Sequence, residues 1–163
     1  MHSIAIAALL SFTAAAASAA GVVNVTFVDP DKYFDAGKDQ HNEPNNLAVI
    51  EQYLKDLGQR YLPDGQVLNI SVLGVDMAGY TRPPPARRGG SYEVRIARGG
   101  ADWPRITLRY SLEFNGQPIK NGDEVVADVF YGRHGPDYGI LDPLKFEKRM
   151  LEKWFRTRFT SDY

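Results

Sequence analysis

The chain has 163 residues, 44% of them hydrophobic and 24% charged, and 19 Lys and Arg against 20 Asp and Glu leave a formal charge of −1. That balance excludes the broad positive field by which a domain gathers nucleic acid. The absence of cysteine excludes disulfides, thiol catalysis and a lipid-bearing cysteine, so any core must hold together by packing alone.

Residues 1–20 contain no Asp, Glu, Lys or Arg, and the apolar run from Ile4 to Phe12 gives way to small residues ending Ala17-Ser18-Ala19. This pattern predicts a signal peptide over residues 1–19, cleaved before Ala20, and one domain over 20–163. The stretch is too rich in Ala, Ser and Thr to be the run of about 20 strongly apolar residues that crosses a bilayer. No membrane span is expected once the signal is removed.

Val22 to Val28 alternates, with Val23, Val25 and Phe27 on one side and Asn24 and Thr26 on the other, which predicts a half-buried strand ending in the turn Asp29-Pro30-Asp31. Leu47, Ile50, Leu54, Leu57 and Tyr61 fall at helical spacing, with Asn45 or Asn46 as cap and Pro63-Asp64-Gly65 as stop. Val67 to Val75 predicts a strand with a bulge or bend at Gly74. Gly79 to Ser91, with Pro83-Pro84-Pro85 and Arg82, Arg87 and Arg88, has no structural period and predicts an exposed loop.

Alternation resumes from Tyr92 to Arg98, and Ile106, Leu108, Tyr110, Leu112 and Phe114 mark the clearest inner face in the chain. Asn115-Gly116 predicts a two-residue hairpin turn, with a return strand within Pro118 to Phe130. A second Asn-Gly, Asn121-Gly122, predicts either a bulge in that strand or the true turn. After a loop from Gly132 to Leu141, Asp142 caps and Pro143 opens a helix reaching Phe159, whose apolar arc holds Leu144, Phe146, Met150, Leu151, Trp154, Phe155 and Phe159. Glu147 falls within that arc, so a partnering arginine is expected, with Arg105 or Arg109 as candidates. The order β-α-β-β-β-β-α predicts an α+β two-layer sandwich, a mainly antiparallel sheet of four to five strands with both helices on one face.

Three stretches carry a family resemblance: Val25-Thr26-Phe27-Val28-Asp29-Pro30; Gly99-Gly100-Ala101-Asp102-Trp103-Pro104-Arg105 with Ile106-Thr107-Leu108-Arg109-Tyr110; and Asp142-Pro143-Leu144 through Glu147 to Leu151 and Trp154-Phe155. Together they resemble the exported bacterial proteins grouped as domain of unknown function 3016. The resemblance implies a Gram-negative envelope protein, periplasmic or secreted, and supplies no activity. A fold-level analogy to small accessory domains of the lipopolysaccharide-assembly lipoprotein type, which carry a lipidated cysteine that this chain lacks, points towards partner binding.

Candidate chemistry is sparse. Asp29, Asp31 and Asp35 invite comparison with a calcium loop, but Tyr33 and Phe34 stand where an oxygen ligand and a glycine are required. No metal and no cofactor are expected. His134 beside Asp137 has the composition of a general base and its carboxylate, without a nucleophile in a recognisable motif; a solvated loop histidine is the plainer reading. Asp102, Trp103 and Arg105 suit either a recognition platform or a plug in which Trp103 covers the sheet edge and Asp102 pairs with Arg105. Arg82, Arg87 and Arg88 suit either a stiff polyproline arm presenting guanidinium groups to anions or a solvated loop. The basic residues of the last helix suit a membrane surface only if its apolar arc is not needed by the sheet.

The leading expectation is a non-catalytic envelope binding or accessory domain using Arg82, Arg87, Arg88, Asp102, Trp103 and Arg105. Its partner would be an envelope protein or an anionic envelope component, and not nucleic acid. The alternative is a small hydrolase or metal-assisted enzyme built on His134, Asp137 and a carboxylate of the first turn.

Overall fold

The computed structural model of the protein describes residues 20–37, 43–82, 94–97, 100–133, 142 and 144–160. In chain order the elements are β1 (Val22–Phe27), α1 (Glu43–Tyr61), β2 (Gln66–Asp76), β3 (Tyr80–Arg82), β4 (Val94–Ile96), β5 (Arg105–Phe114), β6 (Gln117–Ala127) and α2 (Lys145–Phe159). Short 3-10 turns stand at Pro30–Lys32 and Tyr131–Arg133.

Four strands form one sheet in the order β1-β2-β5-β6, with β1 parallel to β2 and the other neighbours antiparallel. Register decides which side chains share a face. Val23, Leu68 and Leu112 form one row, Val25, Ile70 and Tyr110 the next, then Phe27, Val72 and Leu108, and finally Val75 and Ile106 with Val126. These rows make one core with Ile50, Leu54 and Leu57 of α1 and Met150, Leu151, Trp154 and Phe155 of α2, so both helices cover the same face. The expected α+β architecture is what the chain adopts.

The bulge at Leu73 explains how β2 keeps this face. Strict alternation from Val72 would turn Gly74 inward and Val75 outward. One extra residue between Val72 and Gly74 restores Val75 to the core side, where it is buried. The opposite face carries Asn24, Asn69, Ser111 and Asn121 in one row and Thr26, Ser71, Arg109 and Asp123 in the next, and no described element covers it.

The two helices are joined by Glu152, which accepts hydrogen bonds from the Tyr53 and Tyr61 hydroxyls at 2.9 and 2.8 Å. Trp154 packs edge-on against Tyr110, Phe155 and Phe159, and its indole N–H donates to Glu124 at 3.0 Å, so the large ring is buried with its polar atom satisfied.

Several local expectations are corrected. The helix α1 begins at Glu43, ahead of both expected caps, and Asn46 uses its side-chain amide to donate to the Ala36 carbonyl. Asn121-Gly122 is neither turn nor bulge. It lies inside β6 because the Tyr110 ring rests on Gly122, where a Cβ would come within 2.9 Å of the ring; the β6 bulge falls at Ile119. Part of the expected loop from Gly79 is the strand β3, and it pairs with β4 in a separate two-stranded sheet outside the main one. Asn115-Gly116 does form the β5–β6 turn, with φ of 49° and 76°. Asp142 caps the chain entering α2 by accepting from the Leu144 N–H at 2.9 Å, and the helix starts at Lys145.

Candidate functional site

The two ends of the sheet are built differently. At one end α1 meets β2 through Pro63-Asp64-Gly65, and β5 meets β6 through Asn115-Gly116. At the other, β1, β2 and β6 finish, β5 begins and both helices start, and the described chain breaks off there after Gly37, after Arg82 and after Arg133. The charged groups buried or half-buried in the fold concentrate at this second end.

Its centre is the Ala78 peptide. Glu147, in the first turn of α2 and 1% exposed, accepts the Ala78 N–H through Oε1 at 2.7 Å. Its Oε2 has no hydrogen-bond partner among the described residues. Burial pushes the Glu147 carboxyl above its ordinary range, opposed by the Ala78 N–H and the charge of Arg95. On the other side of that peptide, Arg95 of β4 donates to the Ala78 carbonyl at 2.8 Å and places both terminal nitrogens on Asp35, at 3.0 and 3.2 Å. Asp35 is itself fixed to the end of β2, its N–H donating to the Val75 carbonyl and its carbonyl accepting from the Met77 N–H. The small β3–β4 sheet is therefore clipped to the core by one arginine.

The rim beside it is Asp102-Trp103-Pro104-Arg105. The Gly79 N–H donates to the Asp102 carbonyl at 2.9 Å, which sets the root of β3 against this segment. The Asp102 side chain accepts from the Tyr131 hydroxyl at 2.8 Å, and Tyr131 stacks edge-on against Phe146 of α2. Arg149 holds the same corner by donating to Asp128 and to the Tyr131 carbonyl. Trp103 is half-buried, and Arg105 reaches across to Asp76 at 2.6 Å. A half-buried aromatic flanked by an exposed guanidinium on a braced backbone can make aromatic and cationic contacts with a partner.

A family model described as protein of unknown function (DUF3016) matches residues 21–157. The chain belongs to that family. No curated protein and no solved structure matches it. The three stretches that carried the resemblance map onto this DUF3016 fold as β1 with its following turn, the rim with β5, and α2. Two of them, the rim and the start of α2, meet at the loop-bearing end through Tyr131, which touches both Asp102 and Phe146.

Other site residues fall as follows. Arg82 ends β3 opposite Val94, and Asp102 and Arg105 lie on the rim. Arg87, Arg88, His41, His134 and Asp137 lie outside the described residues. The expected Asp102–Arg105 pair is replaced by Asp102–Tyr131 and Arg105–Asp76, because β5 pairs with β2 and puts Arg105 directly opposite Asp76. Glu147 pairs with neither Arg105 nor Arg109: Arg109 sits on the open face with Asp123 at 2.7 Å, and a peptide N–H serves Glu147 instead. The first-turn carboxylates do not converge, since exposed Asp29 binds Lys32 while buried Asp35 binds Arg95. Among the described residues no group of three potential ligands could hold a metal ion.

Sequence reasoning missed Arg95 and Tyr131, and weighed Asp35 only in the failed calcium-loop comparison. Arg95 sits between Val94 and Ile96, at a position that alternation assigns to solvent. Only the topology, which lays β4 over the end of β2, brings it to Asp35. One shallow hollow of ≈310 Å³ lies on the open sheet face around Ser71, Arg109 and Asp123, and another of ≈250 Å³ runs between β6 and α2 from Asp128 past Trp154.

Proposed function

We propose that the protein is an exported, non-catalytic binding domain of the bacterial envelope, and that it meets an envelope protein or an anionic envelope component at the loop-bearing end. The observation that carries this reading is the Gly79 to Asp102 hydrogen bond, 2.9 Å long, which brings the strand bearing Arg82 beside Asp102, Trp103 and Arg105. The root of β3 and the rim, separate in sequence, thus adjoin, and Arg87 and Arg88 follow β3 in the sequence. Arginine and tryptophan on a braced backbone offer cationic and aromatic contact at little ordering cost.

Export is supported by the uncharged, apolar leader with Ala17-Ser18-Ala19 before Ala20. No helix among the described residues is long and apolar enough to cross a membrane. The basic side of α2 is not assigned to a lipid surface, because its apolar arc is packed on the sheet.

The test is capture from solubilised envelope by the immobilised protein, compared with a variant lacking residues 83–90, which spares β3, and with Trp103→Ala. Both changes should abolish recovery of the captured component while leaving the circular dichroism spectrum intact. Undiminished capture by both retires the loop-bearing end as the binding surface. Cell fractionation and the mass of the purified product test export: a periplasmic or secreted protein beginning at Ala20 is expected, and a cytoplasmic protein retaining residues 1–19 contradicts it.

A further inference from the structure

The strand β6 closes one side of the sheet, and among the described residues no strand pairs with its outer edge. Alternate backbone N–H and C=O groups along this edge therefore point away from β5, which is a template for another strand. The edge also bears two exposed aliphatic side chains, Ile119 at 53% and Val125 at 63%. An edge of this length is normally guarded, and β6 has guards: Pro118, the bulge at Ile119, Lys120, Asp123 and Glu124.

The order of those guards is self-complementary. With a two-fold axis at Gly122, an antiparallel copy of β6 sets Lys120 opposite Glu124 and Asn121 opposite Asp123, and brings Val125 against the partner's bulge at Ile119. The two exposed aliphatic side chains meet each other, and the lysine meets an acid. Directly opposed residues lie on the same side of a sheet. Lys120 and Glu124 belong to the rows on the helix side, so this register keeps both helix layers on one side of a continuous sheet.

Neighbouring registers that preserve the faces are penalised. Sliding two residues one way puts Asp123 against its own copy, and two the other way puts Ile119 against Asp123; longer slides oppose Lys120 or Glu124 to itself. Lys120 and Glu124 are also held in place already, Lys120 donating to the Arg158 carbonyl and Glu124 accepting from Trp154 and Arg158. Their charges are fixed near the edge and need little further ordering.

We propose that the protein associates with a second copy of itself by antiparallel pairing of the two β6 edges about Gly122, making one eight-stranded sheet with all four helices on one side. The interface is isologous, so each favourable contact occurs twice and each substitution counts twice. It leaves both loop-bearing ends free and stands independently of the function proposed above.

The chain has no cysteine, so an introduced thiol is its only one and reports register directly. Sedimentation equilibrium should give twice the mass of one chain, and Val125→Asp, at an exposed position, should weaken self-association by about tenfold or more. Ile119→Cys and Val125→Cys, mixed and oxidised, should form a disulfide with each other, because this register brings the two positions together across the edge. Neither should cross-link alone, since its own copy sits about 20 Å along the strand. A one-chain mass at the highest soluble concentration overturns the proposal. So does a doubled mass that Val125→Asp leaves unchanged, or cross-linking of either single variant with itself.

Discussion

The two ends of the sheet divide the molecule's needs. At the tight-turn end, Tyr61, Phe155 and Phe159 pack ring against ring, and the connections are short turns around Gly65 and Gly116. At the loop-bearing end the fold buries Asp35 and Glu147 and half-buries Arg95 and Arg149 to brace the root of β3 and the rim. Taking charges out of water is costly even when they are paired, and an apolar plug of the same volume would serve stability as well or better. Among the described residues the buried carboxylates, Asp35 and Glu147, both lie at that end, which fixes geometry there.

Substitutions at the two ends should therefore differ in size and in their response to pH. The largest effect is expected at the tight-turn end. Phe155→Ala removes a ring with 0% exposure and should cost about 3–5 kcal/mol in denaturant unfolding, equally in acid and at neutral pH. Next comes Asp35→Ala, which strips Arg95 of its carboxylate and should cost about 3 kcal/mol, with part of the loss recovered by adding Arg95→Met.

Glu147→Gln sharpens the contrast through pH. The native-state pKa of Glu147 is raised, so between the ordinary carboxylate value and the raised one the folded chain holds a proton that the unfolded chain has lost. Stability of the wild type should fall as pH rises through that window, by up to about 1.4 kcal/mol per pH unit from this group, and level off above the raised value. The glutamine variant should lack this component of the slope, as thermal unfolding across the same pH series will register. The smallest effect is Gly116→Ala. Nothing crowds a Cβ there, so the loss of about 1 kcal/mol expected in denaturant unfolding comes only from the positive φ.

Much of the fold was legible because period-two alternation survives topology. Ile106, Leu108, Tyr110 and Leu112 face inward whichever strands lie beside them, and the Leu47 to Leu57 spacing fixes the inner face of α1. Asn115-Gly116 was legible because its dihedral demand is local. Glu147 stood out as a carboxylate inside an apolar arc, but its partner did not, since a backbone N–H leaves no mark in the sequence. Gly122 misled for a similar reason: the ring that requires it belongs to Tyr110 on the neighbouring strand. The clip of Arg95 on Asp35 joins residues 60 apart and exists only because β3 and β4 leave the main sheet. Of the candidate site, the rim residues could be named from sequence, whereas the bracing that makes them one surface could not.

The division between the ends is tested most directly by a photoreactive amino acid placed at Trp103 on the rim or at exposed Asp64 in the opposite turn, irradiated in intact cells. Adducts to a second component from position 103, with none from position 64, are the result the account predicts. Adducts from 64 with none from 103 would contradict it.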